Sequence, residues 1–499
     1  ELGRTAERIL AARGAERAFV VAFAGYSVTA GRGNLHEQSF PFRIAEVLRE
    51  PFAMLGVEVE TRNVGLGGVN SLPYGWCQRN FLGADADVVS WDFRFNEGSD
   101  SVSFESFLRH SMLLPHAPKF VLMARKSASR KGILKDYVQK GWQVDPIVVD
   151  NSYPPESEFL DLDEEDRPPG FQDFDSWGSP EGSPGQSPWN PKYKWHSMIA
   201  WILGMHILQA AEIAGQLIEA EGGRIPFPPT SGILPSPTND VDHCATSAEA
   251  SLLFGHPIIG NNDVKWSMPT TFCSTTFAPT VEGSDLADLV VSGMVAEGDI
   301  TEETSDLKGW LLGFGSESTR NEHTQYSSLG FRDAKKSLHG FHTSGPLKLW
   351  IPWIDAGHEM GASIKQRRSL RNVDDDRATS WYQTLVVCSF YEKADKSKCN
   401  LEKDIEFLVG GKEAINVNNL EAVGAQWMNK ALCVAIDISS FAKTSTREQA
   451  GAGDLKSSDP GSNGDIGIVL SITVTNTDLV ASGSACSISH VVWQHATPA

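Results

Sequence analysis

The sequence has no surplus of positive charge: 43 lysines and arginines stand against 63 aspartates and glutamates, a formal net charge of −20. Phosphate backbones are bound by basic side chains that displace condensed counterions, so the charge balance opposes a nucleic-acid partner and none is expected. The chain also lacks the ~18 to 20 consecutive apolar residues of a membrane span. Its longest candidate, Met198 to Ala214, is interrupted by Gly204, His206 and Gln209. No membrane span is expected. None of the seven cysteines forms a C-x-x-C pair of the zinc type, and His339, His342 and His358 meet no ligand spacing. Neither a metal nor another cofactor is therefore expected. The chain carries no Asn-x-Ser/Thr sequon, and no internal repeat period is visible.

What is present is ordinary globular material, 41% hydrophobic and 21% charged. At 499 residues it is too long for one core and suggests two or three domains. Much of the acid is local, in Glu156 to Asp166 and Asp173 to Asp175, which reads as a solvated loop. Six cysteines, Cys244, Cys273, Cys388, Cys399, Cys433 and Cys486, follow residue 240 in the part that reads as β-rich. That distribution suits up to three disulfides in an oxidising compartment, with Cys77 left over. Cys388 with Cys399 and Cys433 with Cys486 are the first pairings to test; a fully reduced, buried set is the other reading. The first residue is glutamate, which reads as a processed or trimmed chain and, with the cysteines, gives a secreted or cell-surface address.

The opening run Ala18 to Ala24 is rich in Val and Phe and stopped by Gly25, as suits a buried central strand. Thr5 to Arg13 reads as a helix before it. Ser39 to Leu55 has helical spacing, with Gly56 as its stop, and Val57 to Thr61 alternates as a strand. Ala86 to Trp91, Lys119 to Met123 and Pro146 to Val149 are further buried strands, separated by helical patterns over Phe104 to Leu114 and Lys131 to Lys140. Strand and helix in alternation predict an α/β fold with a doubly wound, parallel five-stranded sheet. From Asp150 to Pro191 the pattern dissolves into Pro, Gly, Ser and acidic residues, a long loop of the kind that is functional or disordered. Tyr193 to Ala220 then reads as a closing helix. This first domain spans 1–224.

A linker and a poorly defined wrapping or small domain follow over 225–340. The remainder, 341–499, has β-branched and aromatic runs at Leu347 to Trp350, Thr384 to Tyr391, Ile405 to Val409, Leu432 to Ile436, Ile466 to Val474 and Ser487 to Trp493. That texture predicts a C-terminal antiparallel β-sandwich-like domain, with Ser445 to Gly464 as a flexible loop. Tryptophans 350, 353, 381, 427 and 493 read as core.

Ser27 follows the first strand on the turn Gly25-Tyr26-Ser27. In doubly wound sheets ligands sit at the carboxyl ends of strands, so Ser27 reads as a nucleophile there or, alternatively, as the cap of the next helix. Gly68, in Asn63-Val64-Gly65-Leu66-Gly67-Gly68, and Asn96, in Arg94-Phe95-Asn96-Glu97, fall at the ends of the next two strands. Order and spacing together resemble the SGNH or GDSL-type hydrolases, whose blocks are Gly-Asp-Ser, Asn-x-Gly-x-x-Gly and Gly-x-Asn-Asp. The resemblance covers the first ~220 residues. It implies a flavodoxin-like sheet and acyl transfer through a Ser27 acyl-enzyme. Its oxyanion donors would be the Ser27 N–H, the Gly68 N–H and the Asn96 amide.

The departures are specific. Tyr26 stands where the family has Asp, Arg94 where it has Gly and Glu97 where it has Asp. The family's final Asp-x-x-His meets Asn190-Pro191-Lys192-Tyr193-Lys194-Trp195-His196. With His196 as the base, Tyr193 replaces the orienting carboxylate. In the other alignment Asn190-Pro191 holds the histidine-proline place, His196 is only a helix residue, and asparagine is no base. Asp173 or Asp175 could stand in as a carboxylate. Asp92 either orients substrate or pairs with Arg94, and Arg125, Lys126 and Arg130 read as a solvated basic face. Two functions stay open. One is an extracellular SGNH-type esterase acting on acyl esters of a glycan. The other is a degenerate hydrolase fold serving structure, self-assembly or protein partners through the β-rich domain, or carbohydrate binding.

Overall fold

The computed structural model describes residues 2–72, 74–98, 101–116, 118–123, 128–139, 144, 146–149, 163–166, 190–222, 271–278, 280–281, 285–298, 308–314, 334–352, 382–391, 399–414, 417–421, 430–438, 445–446, 466–477 and 485–495. Helix α1 (Leu2–Gly14) leads into β1 (Phe19–Gly25), and α2 (Phe40–Met54) into β2 (Val59–Asn63). The short α3 (Gln78–Leu82) precedes β3 (Val88–Asp92), and α4 (Arg94–Glu97) and α5 (Val102–Met112) precede β4 (Lys119–Met123). Then come α6 (Ala128–Gln139), β5 (Pro146–Val149) and the long α7 (Tyr193–Ala220).

The five strands pair in parallel, as expected from the alternation of strand and helix, and their order β2-β1-β3-β4-β5 is the flavodoxin-like one that the resemblance implies. Both faces are covered, which is why β1 reads as an unbroken apolar run instead of an alternating one. Val20, Ala22 and Ala24 point into one core with Trp91, Phe104 and Phe107, while Phe19, Val21 and Phe23 point into the other with α1, α2 and α7.

Helix α7 has a mean hydropathy of 1.4 in its most apolar 18-residue window, enough by length and composition to cross a membrane. Gly204, His206 and Gln209 break its run of apolar residues, yet the expectation of no membrane span does not hold by length and composition. Its inner side, Trp195, Ile199, Leu203, Ile207, Ala210 and Ala214, is buried in the core it shares with α1 and α2. Its outer side leaves Trp201, Ile202 and Met205 exposed.

The β-rich strands are β6 (Thr271–Thr275), β7 (Phe277–Ala278), β8 (Val290–Ser292), β9 (Met294–Glu297), β10 (Trp310–Gly313), β11 (Ala334–Lys335), β12 (Ser337–Gly340) and β13 (Leu347–Pro352). They continue as β14 (Tyr382–Tyr391), β15 (Ile405–Val409), β16 (Lys412–Glu413), β17 (Val417–Glu421), β18 (Lys430–Asp437), β19 (Ser445–Thr446), β20 (Ile466–Val474), β21 (Cys486–Ile488) and β22 (His490–His495). One antiparallel sheet runs β17-β18-β14-β22-β6, and it faces a second running β16-β15-β20-β13-β8 with β19 on β20. The alternation along β14 explains the layering. Leu385 and Val387 meet Leu349, Phe407 and Leu470 of the second sheet, whereas Val386 and Cys388 join the core of the parallel-sheet region. The sheet containing β14 is thus buried on both faces.

Three disulfides occur among the described residues: Cys77–Cys273, Cys388–Cys433 and Cys399–Cys486. The pairings expected first are incorrect, and Cys77 is not the odd cysteine. It bridges to β6, 196 residues away, a partner that only the docking of the two regions brings near. Cys244 lies outside the described residues. Trp350 and Trp493 are buried as expected; Trp353, Trp381 and Trp427 lie outside the described residues, as does the expected loop Ser445 to Gly464 beyond β19.

Candidate active site

Three strand-end loops meet at the point where the chain order reverses between β1 and β3. The first carries Ser27. No helix starts here, so Ser27 is not a helix cap: Ala30 N–H donates to Tyr26 O and Arg32 N–H to Ser27 O, both at 2.9 Å, and α2 begins only at Phe40. Asp92 at the end of β3 pins this turn, its carbonyl accepting from Tyr26 N–H at 3.0 Å and its Oδ2 from Thr29 Oγ1 at 2.7 Å. The Asp92 carboxylate is therefore engaged in holding the turn.

The second loop follows β2. Asn63 Nδ2 donates to Thr29 O and to Ser39 Oγ, each at 2.9 Å, while its Oδ1 accepts from Gly65 N–H at 3.0 Å. Leu66 N–H donates to Gly25 O at 2.9 Å. The loop is thereby laid across the Ser27 turn so closely that a Cβ on Gly67 would sit 2.2 Å from Arg32 Nε. Gly68 has φ +76°, a conformation that glycine adopts without the steric penalty of a side chain.

The third loop carries Asn96 on α4, only 2% exposed, with Nδ2 donating to Val69 O at 2.5 Å. That contact fixes the amide plane beside the residue that follows Gly68. Glu97 is buried as well: its Oε1 accepts from Ser71 N–H at 2.6 Å, and its Oε2 lies 3.5 Å from Arg130 Nη2. Arg130 is 2% exposed, with its guanidinium 4.6 Å from the Trp91 ring. The expectation of a solvated basic face is wrong for Arg130, because a buried carboxylate on another element holds it. Arg125 and Lys126 lie outside the described residues.

The Tyr26 and Phe95 rings stack at 6.0 Å and 12°, joining the neighbour of Ser27 to the neighbour of Asn96. Burial, and then the charge of Asp92, hold the Tyr26 phenol well above its ordinary range, so it stays neutral. Phe95 remains 37% exposed.

The residue that reaches Ser27 is Asn190. Ser27 Oγ donates to Asn190 Oδ1 at 3.1 Å, and Asn34 Nδ2 secures the next residue through Pro191 O at 2.6 Å. His196 is placed otherwise. It is fully buried, its ring stacks on Phe40 at 6.1 Å, and its Nδ1 accepts from Phe40 N–H at 3.3 Å. Phe40 is the first residue of α2, so His196 satisfies one of the helix's orphan donors. An accepting Nδ1 puts the ring proton on Nε2, and that tautomer has no lone pair at Nε2 to offer a hydroxyl. Of the residues expected from sequence, the structure groups the loops of Ser27, Gly68 and Asn96 and leaves His196 in the core. Asp173 and Asp175 lie outside the described residues.

No family profile matches the sequence, and no curated protein does. Two of the solved structures similar in shape are of one two-domain esterase active on acetylated mannans. The first covers 100% of this chain and 96% of that one at a TM-score of 0.43 and 11% identity. The second, co-crystallised with mannopentaose, covers 99% and 96% at 0.41 and 10%. A tail fibre protein from an E. coli phage matches at a TM-score of 0.29 and 9% identity, over 97% of this chain and 48% of that one.

Sequence reading missed one residue at this centre. Lys335, on β11 and 5% exposed, donates from Nζ to Gly67 O. Nothing in the run Ala334-Lys335-Lys336-Ser337 marks it, since its contact with Gly67 exists only once the β-rich strands dock. The docking contacts are specific: Asn80 Nδ2 donates to Cys273 O at 2.9 Å, and Val281 N–H to Asn80 O at 2.6 Å. Among the described residues no group of three His, Cys, Asp or Glu side chains could hold a metal.

Proposed function

We propose that this protein is an SGNH-type ester hydrolase that removes acyl groups from a glycan outside the cytoplasm. Ser27 is the nucleophile; its own N–H, the Gly68 N–H and the second N–H of the Asn96 amide are the donors for the oxyanion. The observation that carries this reading is the mutual fastening of the three strand-end loops around Ser27: Leu66 to Gly25, Asn63 to Thr29, and Asn96 to Val69. Such fastening fixes donors before substrate arrives, which is the physical basis of electrostatic stabilisation of a tetrahedral intermediate. In the first step the Ser27 Oγ–C bond forms, the ester C–O bond breaks, and the sugar hydroxyl leaves with the proton that Ser27 gave up. Water then cleaves the acyl-serine to the free acid and Ser27. The Tyr26–Phe95 stack, with Phe95 partly exposed beside the site, supports a sugar-bearing substrate by offering an apolar wall for a ring face. The three disulfides support a secreted or cell-surface location.

A second reading is favoured by the Asn190–Ser27 contact and the His196 tautomer: a hydrolase fold retained for carbohydrate binding or assembly without turnover. An amide oxygen orients a hydroxyl but cannot take its proton at neutral pH. Release of acetate from an acetylated oligosaccharide separates the two. Turnover by the wild type that disappears in Ser27→Ala supports the hydrolase. Binding of the oligosaccharide without release, by wild type and Ser27→Ala alike, supports the second reading.

A further inference from the structure

We propose that Lys335, delivered from the β-rich region, is a positioning residue for the oxyanion donor at Gly68; the role rests on the hydrolase reading given above. Gly67 O and Gly68 N–H belong to one planar trans peptide, so fixing the carbonyl fixes the direction of the N–H, which points the opposite way. A peptide between two glycines has no Cβ on either side to hold its plane, and rotation about it meets little steric resistance. Something outside the loop must hold it.

Lys335 Nζ donates to Gly67 O across 268 residues of sequence. The ammonium holds the carbonyl through a charge-assisted hydrogen bond, the stronger kind, and draws electron density from the peptide, making its N–H a better donor. On its other side Gly67 packs against the Arg32 guanidinium, where a Cβ would meet Nε at 2.2 Å. The Gly67–Gly68 unit is thus gripped between a residue of the Ser27 turn and a residue of the other region.

The delivery of Lys335 is built as well. Strand β11 pairs with β7, Lys335 opposite Phe277. Strand β7 follows β6, whose Cys273 is bonded to Cys77 and whose carbonyl receives Asn80. The β-rich region therefore completes the site rather than merely lying beside it.

The test uses the full chain, labelled with carbonyl-13C and amide-15N glycine. The sequence contains three Gly-Gly pairs, Gly67-Gly68, Gly222-Gly223 and Gly410-Gly411, so few signals show the one-bond coupling, and Gly68→Ala assigns the relevant one. Kinetics on p-nitrophenyl acetate run in parallel. Lys335→Met is expected to shift the Gly68 amide resonance and to lower kcat about 10-fold or more with KM within about twofold, because the donor is misaligned and not removed, outright removal costing about 10²–10³-fold. Lys335→Arg is expected to stay near wild type in both readouts. Lys336→Met, which removes a pair with Glu297 at 3.7 Å and a charge near Asp285, neither of them at the Gly67–Gly68 peptide, is the control and should change neither. An unmoved Gly68 resonance in Lys335→Met overturns the proposal, as does a moved resonance with kcat unchanged in an active enzyme. If the wild type shows no turnover, the hydrolase reading fails by itself, and the Gly68 resonance alone decides whether Lys335 positions the peptide. Should Lys335→Met not fold, a wild-type resonance and kcat in Lys335→Ala would equally overturn it.

Discussion

Replacing Arg130 by methionine tests whether the loop beside Asn96 is held by charge. Arg130 and Glu97 side chains are 3% and 0% exposed, with Nη2 and Oε2 3.5 Å apart. Arg130 also donates to Gly98 O at 3.1 Å and covers Trp91 at 4.6 Å. Removing one member of a buried pair leaves the other charge desolvated without its partner, at about 3–5 kcal/mol, whereas removing both charges avoids most of that penalty. Methionine keeps the contact area over Trp91, so the loss reports chiefly on charge and the Gly98 bond. Arg130→Met should therefore lower the unfolding free energy by about 3–5 kcal/mol, and the double variant Arg130→Met with Glu97→Gln should recover about 2 kcal/mol of it, because glutamine still accepts from Ser71 N–H. Urea unfolding of wild type, both single variants and the double variant gives the coupling directly, provided the slopes agree. Single effects that add to within about 0.5 kcal/mol would refute the reasoning.

Stability should fall on mild acidification. Burial pushes His490 down to about 3 and His339 to about 4, while both sit near ~6.5 in the unfolded chain. The unfolded state binds their protons first, so this stability is present above pH ~6.5 and is lost as pH falls toward about 4; from pH 6.5 to 5 the two histidines together remove on the order of 3 kcal/mol. Urea unfolding at the two pH values checks it, and a flat profile contradicts it. Replacing Cys77 and Cys273 by serine opens a loop of 196 residues, which chain-entropy reasoning values at ~5 kcal/mol. The thermal midpoint of the double serine variant should drop accordingly, and an unchanged midpoint would show that the docked interface suffices without the bridge. Gly68→Ala forces a side chain into φ +76° and should cost about 1–2 kcal/mol in urea unfolding.

Much of the fold was legible because it follows from local pattern. Phe19 to Gly25, Lys119 to Met123 and Pro146 to Val149 are short apolar runs bounded by turns or polar residues, and strands covered on both faces must read so. The approximate positions of Ser27, Gly68 and Asn96 were readable for the same reason, since loops at strand ends inherit their place from the strands. What was not legible depends on contacts between distant segments. Cys77 finds Cys273, Arg130 finds Glu97, His196 caps Phe40 and Lys335 reaches Gly67 only after regions far apart in sequence have packed. His196 illustrates the physics. A histidine near the start of a closing helix suits a catalytic base by position, yet a helix N-terminus with an orphan N–H claims its ring instead.

The most direct test of the central claim is intact-mass analysis after incubation with a fluorophosphonate. One adduct is expected on the wild type, mapped by peptide mass to Ser27 and absent from Ser27→Ala. An unmodified wild type, under conditions that fully label a control serine esterase, would contradict the assignment of Ser27 as nucleophile and leave its hydroxyl as a donor to Asn190.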